Sequence, residues 1–429
     1  MKIKRSRIAA GFISLIVAAV IVLSSVSCLD SGKDDIHLPS QSGEDKFPEL
    51  SLIDELFRTY TLFELDEEAL IEAVLKGYIA GTGDKYAEYF TEEEFKALTA
   101  ENRGETVGVG ISVTQNVTQN CIEIINVIPD SPAFKAGVMP GDLITYIGAG
   151  ENAQYVPDIG YTIAIDLLVG EEGTVADFTV QRGGEEIPFS IRREKVNFVA
   201  VSHHVYQPEG GKKVGIVEIS QFDLTTPTAF EAAVEELKAG GCEYFIFDVR
   251  NNPGGDLNSI IAVLAFFLDD GDVVIRTSDR QGNGTSEKIS VRRYLGDYKG
   301  CSISKDDIGK YKDLKSAVLT NENTASAAEL FSAALKDHEI SFTVGTVTYG
   351  KGTMQTTMLL EPYGYKGALK LTTQYYYPPF SDSYEGKGVI PDVESPLPDE
   401  LKDKNIYLID DEDDTQLAAA IEALESRNK

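Results

Sequence analysis

Between Val214 and Val344, apolar runs of strand length alternate with stretches of helical spacing, and this alternation restricts the fold more than any other feature of the chain. Val214–Ile219 and Tyr244–Val249 read as strands, and Thr226–Lys238 and Leu257–Leu268 as helices. Lys315–Leu319 and Ser341–Val344 are further strands that bracket a helix beginning at Ser326. Such alternation predicts a layered α/β domain over 197–429. Pro253-Gly254-Gly255 makes a turn between strand and helix. Residues 278–312, polar with scattered glycines, read as an insertion or surface excursion.

Upstream the texture changes twice. From Gly104 to Val196 short β-like runs with glycine turns prevail, including Val107–Val113 and Cys121–Ile128. A helix is expected at Tyr161–Leu168, then a closing strand pair at Gly173–Gln181 and Ile187–Arg192. Within 48–103, Leu52, Leu56, Leu70, Ile71, Val74, Leu75 and Ile79 recur at helical intervals and predict a small helical module. A polar tether, 29–47, precedes it. At the start, Lys2, Lys4, Arg5 and Arg7 lead an uncharged apolar run, Ala9–Val26. Residues 1–28 therefore read as an export signal, a membrane anchor whose 18-residue apolar run would be about 27 Å long as a helix, or, at Ser27-Cys28, a lipoprotein signal. Ser25 stands where such lipoprotein sites usually carry an aliphatic residue. Each alternative sends the remainder outside the cytoplasm.

A formal charge of −30 excludes nucleic acid as a partner and adhesion to anionic lipid through basic patches. Membrane contact is left to the N-terminal segment. Beyond Cys28 there are Cys121, Cys242 and Cys301, an odd number with no CxxC, so neither a disulfide framework nor zinc is expected. No metal or cofactor is called for. The five acids Asp410–Asp414 suit the positive end of a helix over 415–424 better than a calcium site.

The chemistry is concentrated in two short stretches. Asn321-Glu322-Asn323-Thr324-Ala325-Ser326-Ala327-Ala328-Glu329 sets a serine at a loop-to-helix junction. Thr348-Tyr349-Gly350-Lys351-Gly352-Thr353-Met354-Gln355 sets a lysine between two glycines. A serine hydroxyl needs a positioned base, and a lysine serves only where a water-poor pocket lowers its pKa. Lys351 follows Ser326 by 25 positions, room for a helix, a turn and a strand to fold back. Such a serine is otherwise a helix cap, and such a lysine a solvated turn residue.

Ser131-Pro-Ala-Phe-Lys-Ala-Gly-Val-Met-Pro-Gly-Asp-Leu-Ile144 resembles a PDZ domain over 104–196, in its circularly permuted bacterial form. The resemblance makes Gly108, Val109, Gly110 and Ile111 the loop that holds a peptide C-terminus added as a strand. Asp84-Lys-Tyr-Ala-Glu-Tyr-Phe90, Phe247-Asp-Val-Arg-Asn-Asn-Pro-Gly-Gly255, the serine and lysine stretches, Leu369–Tyr377 and Gly386-Lys-Gly-Val-Ile-Pro-Asp392 follow in order. Together they resemble the C-terminal processing peptidases, PDZ-containing serine proteases of family S41, over residues 50–424. The resemblance implies a multidomain α+β chain whose peptidase core is layered α/β and crotonase/ClpP-like. It implies Ser326 as nucleophile, Lys351 as general base and Gln355 as the residue orienting the lysine. Ala327 with Gly254 or Gly255 would form the oxyanion hole. Thr324 and Ala328 stand where the family often has serines.

Of four histidines, His37 lies in the tether, His338 is twelve residues along the same helix as Ser326, and His203 and His204 adjoin in a strand. A histidine base is not expected, and neither GxSxG nor HExxH occurs. Two readings remain: an extracytoplasmic endopeptidase acting on proteins or peptides with apolar C-termini, or a catalytically idle peptide-binding scaffold. A homo-oligomer is left open.

Overall fold

The computed structural model describes residues 46–427 apart from 117–118, 129 and 402–405. The signal or anchor expected over 1–28, and the 29–47 tether up to residue 45, lie outside the described residues. Among the described residues no helix is long and apolar enough to cross a membrane.

Helices α1 (Pro48–Tyr60), α2 (Glu67–Ala80) and α3 (Glu92–Asn102) come first. The Asp66 side chain caps α2, and Thr91 with Glu94 forms a reciprocal capping box on α3. This region also holds an element that periodicity did not reveal. Glu88–Phe90 is a strand, β1, paired antiparallel with Ala368–Lys370. Three residues are too few to show an alternation, and the partner is remote in sequence.

The next unit is a sheet ordered β2 (Ile111–Asn116), Cys121–Val127, Leu143–Ile147, Val175–Arg182, Glu185–Arg192. Helix α4 (Tyr161–Leu168) has the bounds its spacing predicts. Ile122, Ile124, Ile144, Phe178 and Val180 give the unit its own core, against which Ile165 and Leu168 of α4 pack. β2 is an edge strand of this sheet.

The main sheet runs Val201–Tyr206, Val214–Ile219, Tyr244–Asp248, Ser316–Thr320, Phe342–Gly345, Val393–Glu394. Its first pair is antiparallel and the others parallel. Alternate residues of a strand face opposite sides. Val217, Phe247 and Val318 accordingly share a core with α5 (Thr226–Ala239), α6 (Leu257–Ala265) and α7 (Ala327–Asp337). Ile216, Ile246, Ala317 and Leu319 share another with α8 (Thr415–Arg427). The result is the expected α/β layering. A second sheet centres on β4 (Ala368–Tyr377), with β3 (Thr353–Leu359) along one edge. β1 and Val273–Asp279 share the other edge.

The stretch 278–312 differs from its reading as a surface excursion. Gly284–Lys288 pairs with Val273–Asp279, and Cys301, Ile303 and Tyr311 are buried in the main core. A few apolar anchors suffice to dock a segment whose exposed polar side chains dominate its composition.

Candidate active site

Two loops leave the carboxyl ends of the adjacent parallel strands Tyr244–Asp248 and Ser316–Thr320, where open α/β sheets place their sites. They are stitched together. Thr324 Oγ1 donates to the Val249 carbonyl (2.8 Å), Ala325 N–H to the Asn252 carbonyl (2.9 Å), and Asn251 N–H to Asn321 Oδ1 (2.8 Å). Gly254 presses on the second loop, where an added Cβ would stand 2.8 Å from both Ser326 Cβ and Ala327 N. Glycine is required there for close approach as well as for its φ of +108°.

Ser326 sits immediately before α7 with φ +55°, a value a non-glycine residue adopts only when its surroundings impose it. The imposing group is Glu329. Its fully buried carboxylate accepts from Ser326 N–H (2.9 Å), Lys351 N–H (2.8 Å), Gly350 N–H (2.6 Å) and the Thr348 hydroxyl. One side chain thus fixes the backbones of both expected catalytic residues. Burial raises the Glu329 pKa, and these bonds oppose the rise.

Lys351 is 1 % exposed. Its flanking glycines admit the turn at 385–388, since an added Cβ would meet Gly388 N at 2.8 Å from Gly350 and Glu385 at 3.1 Å from Gly352. Nζ lies 4.5 Å from the centre of the Tyr86 ring and has no hydrogen-bond partner among the described residues. Burial lowers the ammonium pKa to about 7. The charge of Lys370 works in the same direction, while Glu329 and Glu385 work against it. A lysine so placed is half neutral at physiological pH, as a general base requires.

Tyr376 links the two residues. Its phenol donates to the Lys351 carbonyl and lines the same cleft as Ser326. Lys351 Nζ and the Ser326 hydroxyl are not hydrogen-bonded to each other. Ser326, Ala327, Gly255, Gln355, Met354 and Tyr376 line one cleft.

The other expected site residues fall as follows. Gln355 is buried in the cleft wall, but its amide nitrogen reaches Thr372 Oγ1 (3.2 Å) and Thr353, not Lys351. Gly254 N–H is taken by Asn252 Oδ1 (2.8 Å), which corrects its reading as an oxyanion donor; among the described residues no hydrogen bond engages the N–H of Gly255 or of Ala327. Gly108, Val109, Gly110 and Ile111 form the turn into β2. There Gly110, φ +86°, backs onto Ser131, and the Val109 carbonyl accepts from Ala133 N–H (2.8 Å). The described histidines are engaged elsewhere, His203 with Glu236, His204 with Asp411 and His338 with the Val273 carbonyl. Asp414 caps α8 and pairs with buried Arg250 (2.8 Å).

Glu329 and Tyr376 were missed as site residues. Ser326-x-x-Glu329 has the spacing of a capping box, a signal that was available. Nothing local distinguishes Tyr376 from Tyr375 and Tyr377.

Residues 213–395 match the model of peptidase family S41. Over 384 residues the chain is 31% identical to a carboxy-terminal-processing protease of Bartonella bacilliformis, covering 86% of this chain and 81% of that one. It is 27% identical to a "Probable CtpA-like serine protease" of Staphylococcus epidermidis, over 96% of this chain and 85% of that one. A crystal structure assigned to the S41 proteases, from Bacteroides fragilis, superposes with a TM-score of 0.56 at 18% identity, over 91% of this chain and all of that one.

Proposed function

This chain belongs to peptidase family S41, the carboxy-terminal-processing serine proteases, and on that premise we propose that it cleaves proteins near their C-termini through an acyl-enzyme on Ser326, with Lys351 as base. The observation that carries the reading is the buried Lys351 side chain, its pKa lowered to about 7, on a backbone that Glu329 anchors together with that of Ser326.

In the proposed cycle the Ser326 hydroxyl turns to Lys351, which takes its proton as Oγ attacks the scissile carbonyl. The N–H groups of Ala327 and Gly255 receive the oxyanion. The tetrahedral adduct collapses as Lys351 returns the proton to the departing amine. Water, deprotonated by the same lysine, then releases the acyl group. Gln355 takes part by turning its amide towards the lysine when substrate fills the cleft.

Recognition is assigned to 104–196, read as a PDZ domain. A substrate with an apolar C-terminus adds along the open edge of β2, its carboxylate at the 108–111 turn, as the edge position of β2 allows. Occupancy of that turn gates the cleft. We assign the working part to the cell envelope, tethered through the N-terminal segment.

The test is turnover of a protein with an unstructured apolar tail by residues 46–429, as wild type, Ser326→Ala and Lys351→Ala, from pH 6 to 10. Cleavage lost in both variants supports the reading. Cleavage that survives either change rejects the dyad, and an inactive wild type that still binds the tail supports the idle scaffold.

A further inference from the structure

The segment Asp84–Phe90 reaches the active centre from the opposite end of the chain. Residues 371–373 of β4 lie between the stretches claimed by β1 and by Val273–Asp279. Asp84 fills that gap. Its carboxylate accepts from Thr372 N–H and from Thr372 Oγ1, both at 2.9 Å. Thr372 Oγ1 in turn accepts from Gln355 Nε2. Asp84 also takes the Tyr86 N–H (3.0 Å), which fixes the turn that presents the Tyr86 ring. That ring lies 4.5 Å from Lys351 Nζ and 4.7 Å from Lys85 Nζ. Beyond it, Glu88 bonds the buried Lys370 ammonium at 2.7 Å.

We propose that Tyr86 is a positioning residue for the Ser326–Lys351 reaction: held by Asp84, it closes the lysine chamber against water, so that the N-terminal segment completes the active centre. The proposal rests on the Ser–Lys reading above.

Two effects of the ring oppose each other. Its face attracts an ammonium, which favours the protonated lysine. Its bulk excludes water, which favours the neutral one. Burial is the largest influence on Lys351, so exclusion wins. The charged groups around the lysine come from several elements: Glu329 on α7, Glu385 on the adjoining turn, Lys370 on β4 and Lys85 beside the ring. Lys370 and Lys85 both disfavour a second positive charge. Removing the ring admits water and lets Lys85 move away, and both changes return the lysine towards its ordinary value.

The experiment follows tail cleavage, and Ser326 labelling by a fluorophosphonate, against pH for residues 46–429. Wild type has a Lys351-dependent acid limb near pH 7. For Tyr86→Ala the limb moves up by at least one pH unit, with at least a roughly fivefold loss at pH 7 that recovers by pH 9–10. Tyr86→Phe keeps the wild-type limb. Asp84→Asn serves where alanine at 86 prevents folding, and moves the limb the same way. A limb that stays in place in folded Tyr86→Ala or Asp84→Asn, whether or not activity falls uniformly, overturns the proposal while leaving the dyad intact. A wild type without that limb refutes the dyad instead.

Discussion

Lys351→Met should make the protein more stable while it removes the proposed general base. An unfolded lysine keeps its ordinary value, 10.5, and the folded one is held near 7. Between those values the unfolded chain binds the extra proton, so wild-type stability rises with pH across that window and is lowest below it. Each pH unit of the gap corresponds to about 1.4 kcal/mol, so the buried amine costs ~5 kcal/mol at or below pH 6. The same relation leaves ~4 kcal/mol at pH 7 and ~2 kcal/mol at pH 9. Methionine is apolar, similar in length and does not titrate. The assay is urea unfolding followed by far-ultraviolet circular dichroism at pH 6, 7 and 9. Both forms carry Ser326→Ala, so that neither digests itself. The variant should gain several kcal/mol at pH 6, and the gain should shrink by more than half at pH 9. A difference that is the same at all three values would refute the claim that Lys351 is held neutral by burial.

Glu329→Gln replaces an acceptor by an N–H₂ group facing backbone donors. We expect a loss of about 1–3 kcal/mol in stability and roughly a hundredfold in kcat, the usual scale for misplacing a catalytic group by ~1 Å. Because Glu329 favours the protonated lysine, the acid limb of any residual activity should shift to lower pH. Arg250→Met strands the buried Asp248 and Asp414 carboxylates that bind the guanidinium, and should cost about 3–5 kcal/mol in urea unfolding at pH 7. Gly110→Val puts a Cβ 2.2 Å from that of Ser131, so fluorescence anisotropy of an apolar-tailed peptide should show weakened binding while Ser326 labelling proceeds at the wild-type rate.

The order of strands and helices in the main domain was legible because it depends on local periodicity. Buried strands such as Tyr244–Asp248 and half-buried helices such as α5 carry their period in a handful of neighbours. The serine, the lysine and the glycines around them were legible for a similar reason: a helix start or a tight approach restricts residue type at one position. What surrounds the lysine was not legible. Tyr86 reaches the site through strand pairing between residues 282 positions apart in sequence, and no pattern along the chain encodes that register. Nor can a sequence show that Glu329 anchors two backbones at once, or that Asn252 already occupies the Gly254 N–H. The sequence alone determined which groups are available for the chemistry. Whether the amine of Lys351 is a base or a cation was decided only by the tertiary structure, because the proton's free energy depends on how much water and charge lie within a few ångströms, and those neighbours come from every part of the chain.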